Sequence, residues 1–174
     1  MDKSLVMAIE KLKDVKRKGW VDSGIMDCES VADHTCAVAL CVLFASFERK
    51  DIDVKKALTM ALIHDLAESI VGDITPYDGV PRKDKIAKEE KALKVLLSSL
   101  PKKIQGEVLG LWKELGIGKS PEAKLVLEAD TFDRFVQANI YRNRGGDTDR
   151  FFHAIGELKS SPFEELLMKV LGRS

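Results

Sequence analysis

The sequence predicts an all-α fold, a bundle of about seven or eight helices. Apolar residues recur every three or four positions over most of the chain, the spacing of one face of an α-helix. Glycine, proline and capping residues separate these segments at intervals typical of helices. Alternation of apolar and polar residues, which would indicate β-strands, does not extend over a useful length anywhere in the sequence.

The helices can be assigned in chain order from their apolar faces and their capping residues. The predicted segments cover approximately residues 4–17, 31–50, 54–68, 84–100, 101–115, 121–143, 148–158 and 163–171. Ser30, Asp53 and Ser120 are suited to cap the second, third and sixth of them. The second is apolar on nearly every face, which predicts that it is buried. Between the third and fourth, a loop rich in Gly, Pro and Asp covers residues 72–83.

Length and charge limit the classes of function. With 174 residues, the chain is expected to form one domain over residues 1–174, whose last helices cover 147–172. Its apolar content of 45% and charged content of 32% are typical of a soluble globular protein. The formal net charge is zero, which argues against electrostatic capture of nucleic acid or an anionic membrane. A small anionic ligand needs only local positive charge and is not excluded.

No segment of the sequence resembles a membrane span or a signal peptide. The longest apolar run, Cys36–Ala45, is too short to cross a bilayer. The first twenty residues lack the apolar region and cleavage site of a secretory signal, so we expect a cytoplasmic protein. The three cysteines have no CxxC spacing, and we expect them to be buried, reduced thiols.

Four ionisable residues are predicted to project from apolar helix faces: His34, His64, Asp65 and Asp130. A carboxylate in such a position must be neutralised by a partner or a metal. Two imidazoles and two carboxylates together suit a divalent metal with open positions for water, whose pKa the metal would lower. Two histidines favour cobalt, manganese, zinc or iron over magnesium.

A purely structural role for the same residues remains open at this point. A single histidine on an apolar helix face is more often a core residue that hydrogen-bonds within the protein. A buried aspartate commonly pairs with an arginine, and Arg134 lies four residues beyond Asp130. His153 has no acidic companion among its neighbours and is interpreted as a core histidine. Spacing alone does not establish that the three helices meet.

The chain resembles a known family in a series of short blocks. These are RKGW, ESVADH, ALIHDLAESIVGDITP, KEEKAL, LW, PEAKLVLEAD and QA, which extend over residues 17–141. They are similar to the HD superfamily of metal-dependent phosphohydrolases, and within it to the HD-domain 5'-deoxynucleotidases. The resemblance implies an HD-domain helical fold, one divalent metal ion per subunit, deoxyribonucleoside 5'-monophosphates as substrates and a homodimer.

The resemblance also implies a role for individual residues. The metal ligands would be His34, His64, Asp65 and Asp130. Three other residues match positions with catalytic or substrate-binding roles. Arg17 would bind the phosphate of the substrate, Glu68 would lie beside the metal-bound water that attacks phosphorus, and Asp73 would be a further catalytic acid. Trp20 follows the phosphate arginine and is expected to pack on the base or sugar, or else in the core or at a dimer surface.

Two other classes of function remain as alternatives. The chain could be an HD phosphohydrolase that acts on a nucleoside triphosphate, an alarmone or a cyclic nucleotide. The absence of Gly-Tyr-Pro after the HD pair argues against a cyclic dinucleotide. It could also be a non-catalytic helical module with a structural metal, although the presence of Glu68 and Asp73 argues against this.

Overall fold

The computed structural model describes residues 2–47, 49–159 and 161–172. In these ranges the regular secondary structure is helical, and no β-strand is present. The α-helices are α1 Lys3–Lys11, α2 Lys18–Val21, α3 Val31–Ser46, α4 Val54–Ile63, α5 Glu68–Val71, α6 Arg82–Leu96, α7 Lys102–Ile117, α8 Pro121–Asn143 and α9 Glu164–Val170. Short 3-10 helices cover Pro76–Asp78, Leu97–Ser99 and Asp149–Leu158. The predicted all-α fold is confirmed. A single domain over residues 1–174 stays a prediction.

The main hydrophobic core lies where α3, α4 and α8 pack against one another. Val38 and Val42 of α3, Met60 of α4, and Val126 and Phe135 of α8 are almost completely buried in this core. Val38 and Val42 are four residues apart, which places them on one face of α3, and burial of such apolar faces is the main source of stability. His34 and Asp130 lie on α3 and α8, and His64 and Asp65 directly follow α4, so the core fixes where the predicted ligands meet.

Side-chain caps begin the three helices of the core, as the sequence predicts. The Ser30 hydroxyl accepts a hydrogen bond from the backbone N–H of Asp33, and the Asp33 carboxylate accepts from the backbone N–H of Ser30, which completes a capping box. Asp53 and Ser120 accept the equivalent bonds at the first turns of α4 and α8. These local bonds set the residue at which each helix begins.

Several predicted helix ends are wrong. The helix predicted to continue from residue 54 to residue 68 ends at Ile63, and His64–Ala67 form turns before α5 begins at Glu68. In this break the backbone N–H of Leu66 bonds to Ile63 and that of Glu68 bonds to Asp65, which tightens the chain to three-residue turns. Helix α1 ends at Lys11, and residues 149–158 form a 3-10 helix.

The prediction that α3 is buried on nearly every face is also wrong. Leu40 and Phe44 are 48% and 65% exposed, and Phe47, just beyond the helix, is 69% exposed. Cys36 shares this face and is exposed, whereas Cys28 is buried as expected. We call Cys36, Leu40, Phe44 and Phe47 the α3 stripe.

No helix in the described ranges is both long enough and apolar enough to span a membrane. The side chain of His153, predicted to be a core histidine, lies outside the described part of the chain.

Candidate metal centre and nucleotide cavity

Three helices bring the predicted metal ligands together. His34 lies in the second turn of α3, His64 is the C-terminal cap of α4, Asp65 follows it, and Asp130 lies midway along α8. The His34 Nε2 atom is 3.2 Å from Asp130 Oδ1 and 3.9 Å from Asp65 Oδ2. The His64 Nε2 atom is 3.2 Å from Asp65 Oδ2. Ligand atoms of His34, His64 and Asp130 all lie within 4.8 Å of one another.

The two imidazole rings are oriented so that each Nε2 atom faces this cluster. His34 Nδ1 lies 2.7 Å from Asp133 Oδ2, and His64 Nδ1 lies 2.6 Å from the carbonyl oxygen of Ala61. Both partners accept hydrogen bonds, so each Nδ1 carries a proton, and in the neutral form of each ring the lone pair is on Nε2. Both Nε2 atoms are buried and have no hydrogen-bond partner. This donor set fits a divalent metal ion, because the oriented neutral imidazole is the form that binds one.

The negative charges of the aspartates in this cluster are balanced by the nearby imidazoles and Arg17, and a bound cation could balance them as well. Burial lowers the pKa of His34, but the nearby carboxylates of Asp130 and Asp133 outweigh it and raise the pKa to about 9. Burial raises the pKa of Asp130, but the contact with His34 outweighs it and lowers the pKa to about 2. Asp65 is also held ionised, since His64 and Arg17 lower its pKa against the effect of burial. A bound dication would supply the charge that protonated imidazoles supply here.

Arg17 reaches the same cluster from the N-terminus of α2. An isolated antiparallel bridge pairs Lys16 with Ser30, and it places Arg17 beside the start of α3. The Arg17 guanidinium donates to Asp65 Oδ2 at 3.1 Å. Burial lowers the pKa of Arg17, but Asp65, Asp73 and other carboxylates outweigh burial and raise this pKa above its usual value, so the guanidinium stays charged. Arg17 is therefore a fixed cation beside the metal ligands.

Glu68 is the first residue of α5, and Asp73 lies in the loop that follows this helix. Glu68 is 3% exposed, and its Oε2 atom is buried without a hydrogen-bond partner. Burial, with the negative charges of Asp65 and Asp73, raises the pKa of Glu68 well above its usual value. Asp73 Oδ2 accepts a hydrogen bond from the backbone N–H of Lys18 at 2.8 Å, which ties this loop to the helix that follows Arg17.

These groups line one cavity of about 360 Å³. Asp65, Asp130, Glu68, Asp73 and Arg17 line it together with segments from the loop and the C-terminal 3-10 helix. Its other basic and aromatic lining residues are Lys85, Arg134, Arg150, Trp20, Tyr77 and Phe151. The positive charge needed for an anionic ligand is therefore local, although the chain as a whole is neutral.

Trp20 borders the cavity but presents little surface to it. The side chain is 2% exposed and packs among Cys28, Ala138 and Tyr141. Its Nε1–H donates to Glu29 at 2.8 Å, which satisfies the only polar atom of the ring. These contacts favour the core position among the alternatives for Trp20, and a contact with the base or sugar stays a prediction.

Sequence reasoning missed Asp133 and two cations of the cavity, Lys85 and Arg150, and it considered Arg134 only as a partner of Asp130. Asp133 follows Asp130 by three positions on α8, so helical spacing offered a signal for it. Lys85 and Arg150 offered no such signal, since they come from α6 and from the 3-10 helix Asp149–Leu158.

Comparisons with known proteins show which family the chain is similar to. The family model described as HD domain matches residues 9–165. The 5'-deoxynucleotidase HDDC2 from Bos taurus is 38% identical over 88% of this chain and 76% of its own length. The 5'-deoxynucleotidase YGK1 from Saccharomyces cerevisiae is 32% identical over 94% of this chain and 78% of its own length. A crystal structure of a Pyrococcus horikoshii OT3 protein is 34% identical, covers 97% of both chains and superimposes with a TM-score of 0.80.

Proposed function

The chain belongs to the HD domain family, and we propose that it is a metal-dependent 5'-deoxynucleotidase. It would hydrolyse deoxyribonucleoside 5'-monophosphates to deoxynucleoside and phosphate. The observation that carries the proposal is the pair of buried Nε2 atoms of His34 and His64, unpartnered and directed at two aspartates beside a cavity lined with cations. Relatives named 5'-deoxynucleotidase, similar over most of the chain, support the choice of substrate.

His34, His64, Asp65 and Asp130 would hold one divalent metal ion per subunit. Cobalt, manganese, zinc, iron and magnesium are the candidates, and two imidazole ligands favour a transition metal. When bound, such an ion supplies Lewis acidity, which neutralises charge on phosphoryl oxygens and lowers the pKa of water. Asp133 would fix the ring of His34 so that Nε2 points at the ion.

Arg17 would bind the phosphate of the substrate. Its guanidinium is held beside Asp65 and remains charged, and its forked N–H groups suit two phosphoryl oxygens at once. Phosphoryl transfer depends mainly on positioning and on stabilisation of charge, so a fixed cation at this point favours the transition state.

Glu68 and Asp73 would handle the protons of the reaction. As the bond from water to phosphorus forms, Glu68 orients the water and accepts its proton, because its carboxyl lies close to Asp65 and lines the same cavity. As the bond from phosphorus to the sugar oxygen breaks, Asp73 donates a proton to that oxygen. The two residues could exchange these roles, since both line the cavity.

A substrate panel tests the proposal against its alternatives. Phosphate release would be measured from deoxynucleoside and ribonucleoside monophosphates, and products would be followed from a triphosphate, an alarmone and a cyclic dinucleotide. We expect rapid phosphate release only from the deoxynucleoside monophosphates. Hydrolysis of only one of the other nucleotides would identify that nucleotide as the substrate instead. Metal binding without hydrolysis of any nucleotide in the panel would identify a non-catalytic module.

We also propose a homodimer whose interface includes the α3 stripe. Its exposed Leu40, Phe44 and Phe47 side chains form an apolar surface of the kind that protein interfaces cover. Size-exclusion chromatography with light scattering should give a dimeric mass for the wild type and a monomeric mass for Phe44→Glu. Met26→Glu changes another exposed apolar residue and should remain dimeric. The cytoplasmic location expected from the sequence stays a prediction.

A further inference from the structure

Arg150 is a cation of the cavity to which neither the sequence analysis nor the proposed mechanism gives a role. It lies near the start of the 3-10 helix Asp149–Leu158, beyond the blocks that carry the family resemblance. We propose that Arg150 is a specificity-determining residue that hydrogen-bonds an acceptor on the nucleobase of the substrate. This inference rests on the proposed nucleotide substrate and adds a contact for the part of it that does not react.

The contacts of Arg150 leave one donor unsatisfied and give its charge no carboxylate partner among the described residues. One terminal N–H group donates to the carbonyl oxygen of Gly19, but the Nε atom is buried and has no hydrogen-bond partner. Within the described ranges, no carboxylate forms an ion pair with Arg150. A buried donor and an unpaired guanidinium are both costly, so a cavity that contains them is suited to a ligand with acceptor atoms.

The surroundings of Arg150 differ from those of Arg17. The guanidinium carbon of Arg150 lies 4.9 Å from the ring centre of Tyr77 and 5.0 Å from that of Phe151. Arg17 instead contacts Asp65, and the cations that act most strongly on Glu68 are Arg17 and Lys85. The cavity therefore has a carboxylate-rich end, where Arg17 meets the predicted ligands, and an aromatic end around Arg150.

A nucleoside monophosphate matches this division. Its phosphate requires the metal ligands and Arg17, so its base must extend toward another part of the cavity. Aromatic side chains favour the faces of a base, and a guanidinium N–H favours the ring nitrogens and carbonyl oxygens at its edge. Tyr77 is 64% exposed and lines the cavity, so its ring is accessible to a base.

The position of Arg150 is fixed by close packing. The neighbouring Phe151 ring lies 4.0 Å from the ring of Trp20, measured between centroids. A Cβ atom added at Gly19 would lie 3.2 Å from the ring of Phe151, so the chain from Arg17 to Trp20 fits closely against the 3-10 helix. Arg150 is thereby held in place before a ligand arrives, which reduces the entropy lost on binding.

The test compares a substrate that has a base with an analogue that lacks one. KM and kcat would be measured for the common deoxynucleoside 5'-monophosphates, with the inhibition constant of deoxyribose 5-phosphate as the base-free ligand. For Arg150→Gln, we expect KM for at least one nucleotide to rise about 10- to 100-fold, the range for one hydrogen bond to a charged group. The inhibition constant of deoxyribose 5-phosphate should change less than about twofold, because Arg17 and the metal ligands are unchanged.

Arg142→Gln is a matched control. Arg142 also stacks on an aromatic ring, with its guanidinium carbon 4.1 Å from the centre of Phe152, and it pairs with Asp149 at the start of the same 3-10 helix. It does not line the cavity, so its loss should leave KM for nucleotides within about twofold of wild type. A similar rise in nucleotide KM in both variants would mean that Arg150 acts only by anchoring the 3-10 helix.

Other outcomes would also overturn the inference. An equal loss for nucleotides and deoxyribose 5-phosphate would indicate a contact with the phosphate, or displacement of Arg17, instead of a contact with the base. Unchanged nucleotide KM values in Arg150→Gln would exclude a contact altogether. If the wild type binds nucleotides without hydrolysing them, the proposed function fails, but the same comparison made with dissociation constants still decides the role of Arg150. Absence of nucleotide binding would refute both.

Discussion

Replacement of Asp133 by Asn should weaken metal binding without removing a metal ligand. Asp133 accepts a hydrogen bond from His34 Nδ1 at 2.7 Å, and its side chain is 13% exposed. Asn keeps an oxygen that accepts this bond but loses the negative charge. The change therefore separates orientation of His34 from the electrostatic support that a carboxylate gives to a metal-binding imidazole.

The size of the effect follows from the hydrogen bond that changes. A bond to a charged group contributes about 1.5–3 kcal/mol and a neutral one about 0.5–1.5 kcal/mol, so the variant should lose about 1–2 kcal/mol. This corresponds to a metal dissociation constant about 5- to 30-fold higher. At saturating metal, kcat should return to within about threefold of wild type, because Asp133 does not line the cavity.

The assay is a competition titration with a chromophoric chelator, followed by phosphate release at saturating metal. Asp51→Asn is the matched control, since Asp51 pairs with Arg49 on the surface, outside the cavity. Its metal dissociation constant should equal that of the wild type. If Asp133→Asn binds metal as tightly as Asp51→Asn does, the assignment of Asp133 as the residue that supports His34 is refuted.

Two further predictions concern the stability of the metal-free protein. The pKa of Glu68 is raised in the folded state, so that state binds more protons than the unfolded state above the usual glutamate pKa, and stability should fall as pH rises from about 4.5. Glu68→Gln should flatten this fall in melting temperature, and an unchanged slope would mean that Glu68 is not the group responsible. Ser30→Ala removes the capping box of α3 and should lower the free energy of unfolding by about 1 kcal/mol in urea titrations. Thr59→Ala, at an exposed hydroxyl within α4, is its control, and an equal loss in both would argue against a special role for the cap.

Features that depend on neighbouring residues could be predicted from the sequence. Caps at Ser30, Asp53 and Ser120 follow from bonds that each residue forms within its own first turn, and all three are confirmed. The convergence of His34, His64 and Asp130 was predicted from apolar faces and from the resemblance, and the structure brings these residues together. Their roles as metal ligands stay a prediction.

The break after Ile63 could not be predicted in the same way. The spacing that indicates a helix continues through the turns His64–Ala67, because residues in three-residue turns also place apolar side chains on one side. The exposed α3 stripe was missed for a different reason: apolar residues on every face indicate burial, but the sequence does not say whether a partner molecule provides it.

Contacts between distant parts of the chain were the hardest to foresee. Asp133 lies 99 residues from its partner His34, and Arg150 lies 131 residues from Gly19. Periodicity relates residues within one helix and gives no distance between helices. The resemblance reached Asp130 but not Arg150, so the aromatic end of the cavity emerged only from the structure.

We propose that the histidines and aspartates at the junction of α3, α4 and α8 hold one metal ion that the hydrolysis requires. The most direct measurement adds a divalent metal stepwise to chelator-treated protein and records bound metal and phosphate release from a deoxynucleoside monophosphate in the same samples. Release should rise in proportion to metal and reach its plateau at about one ion per subunit, and Asp65→Ala should show no release at the same metal concentrations. Full release from metal-free wild type, or undiminished release from Asp65→Ala, would contradict a metal ion at this junction that the hydrolysis requires.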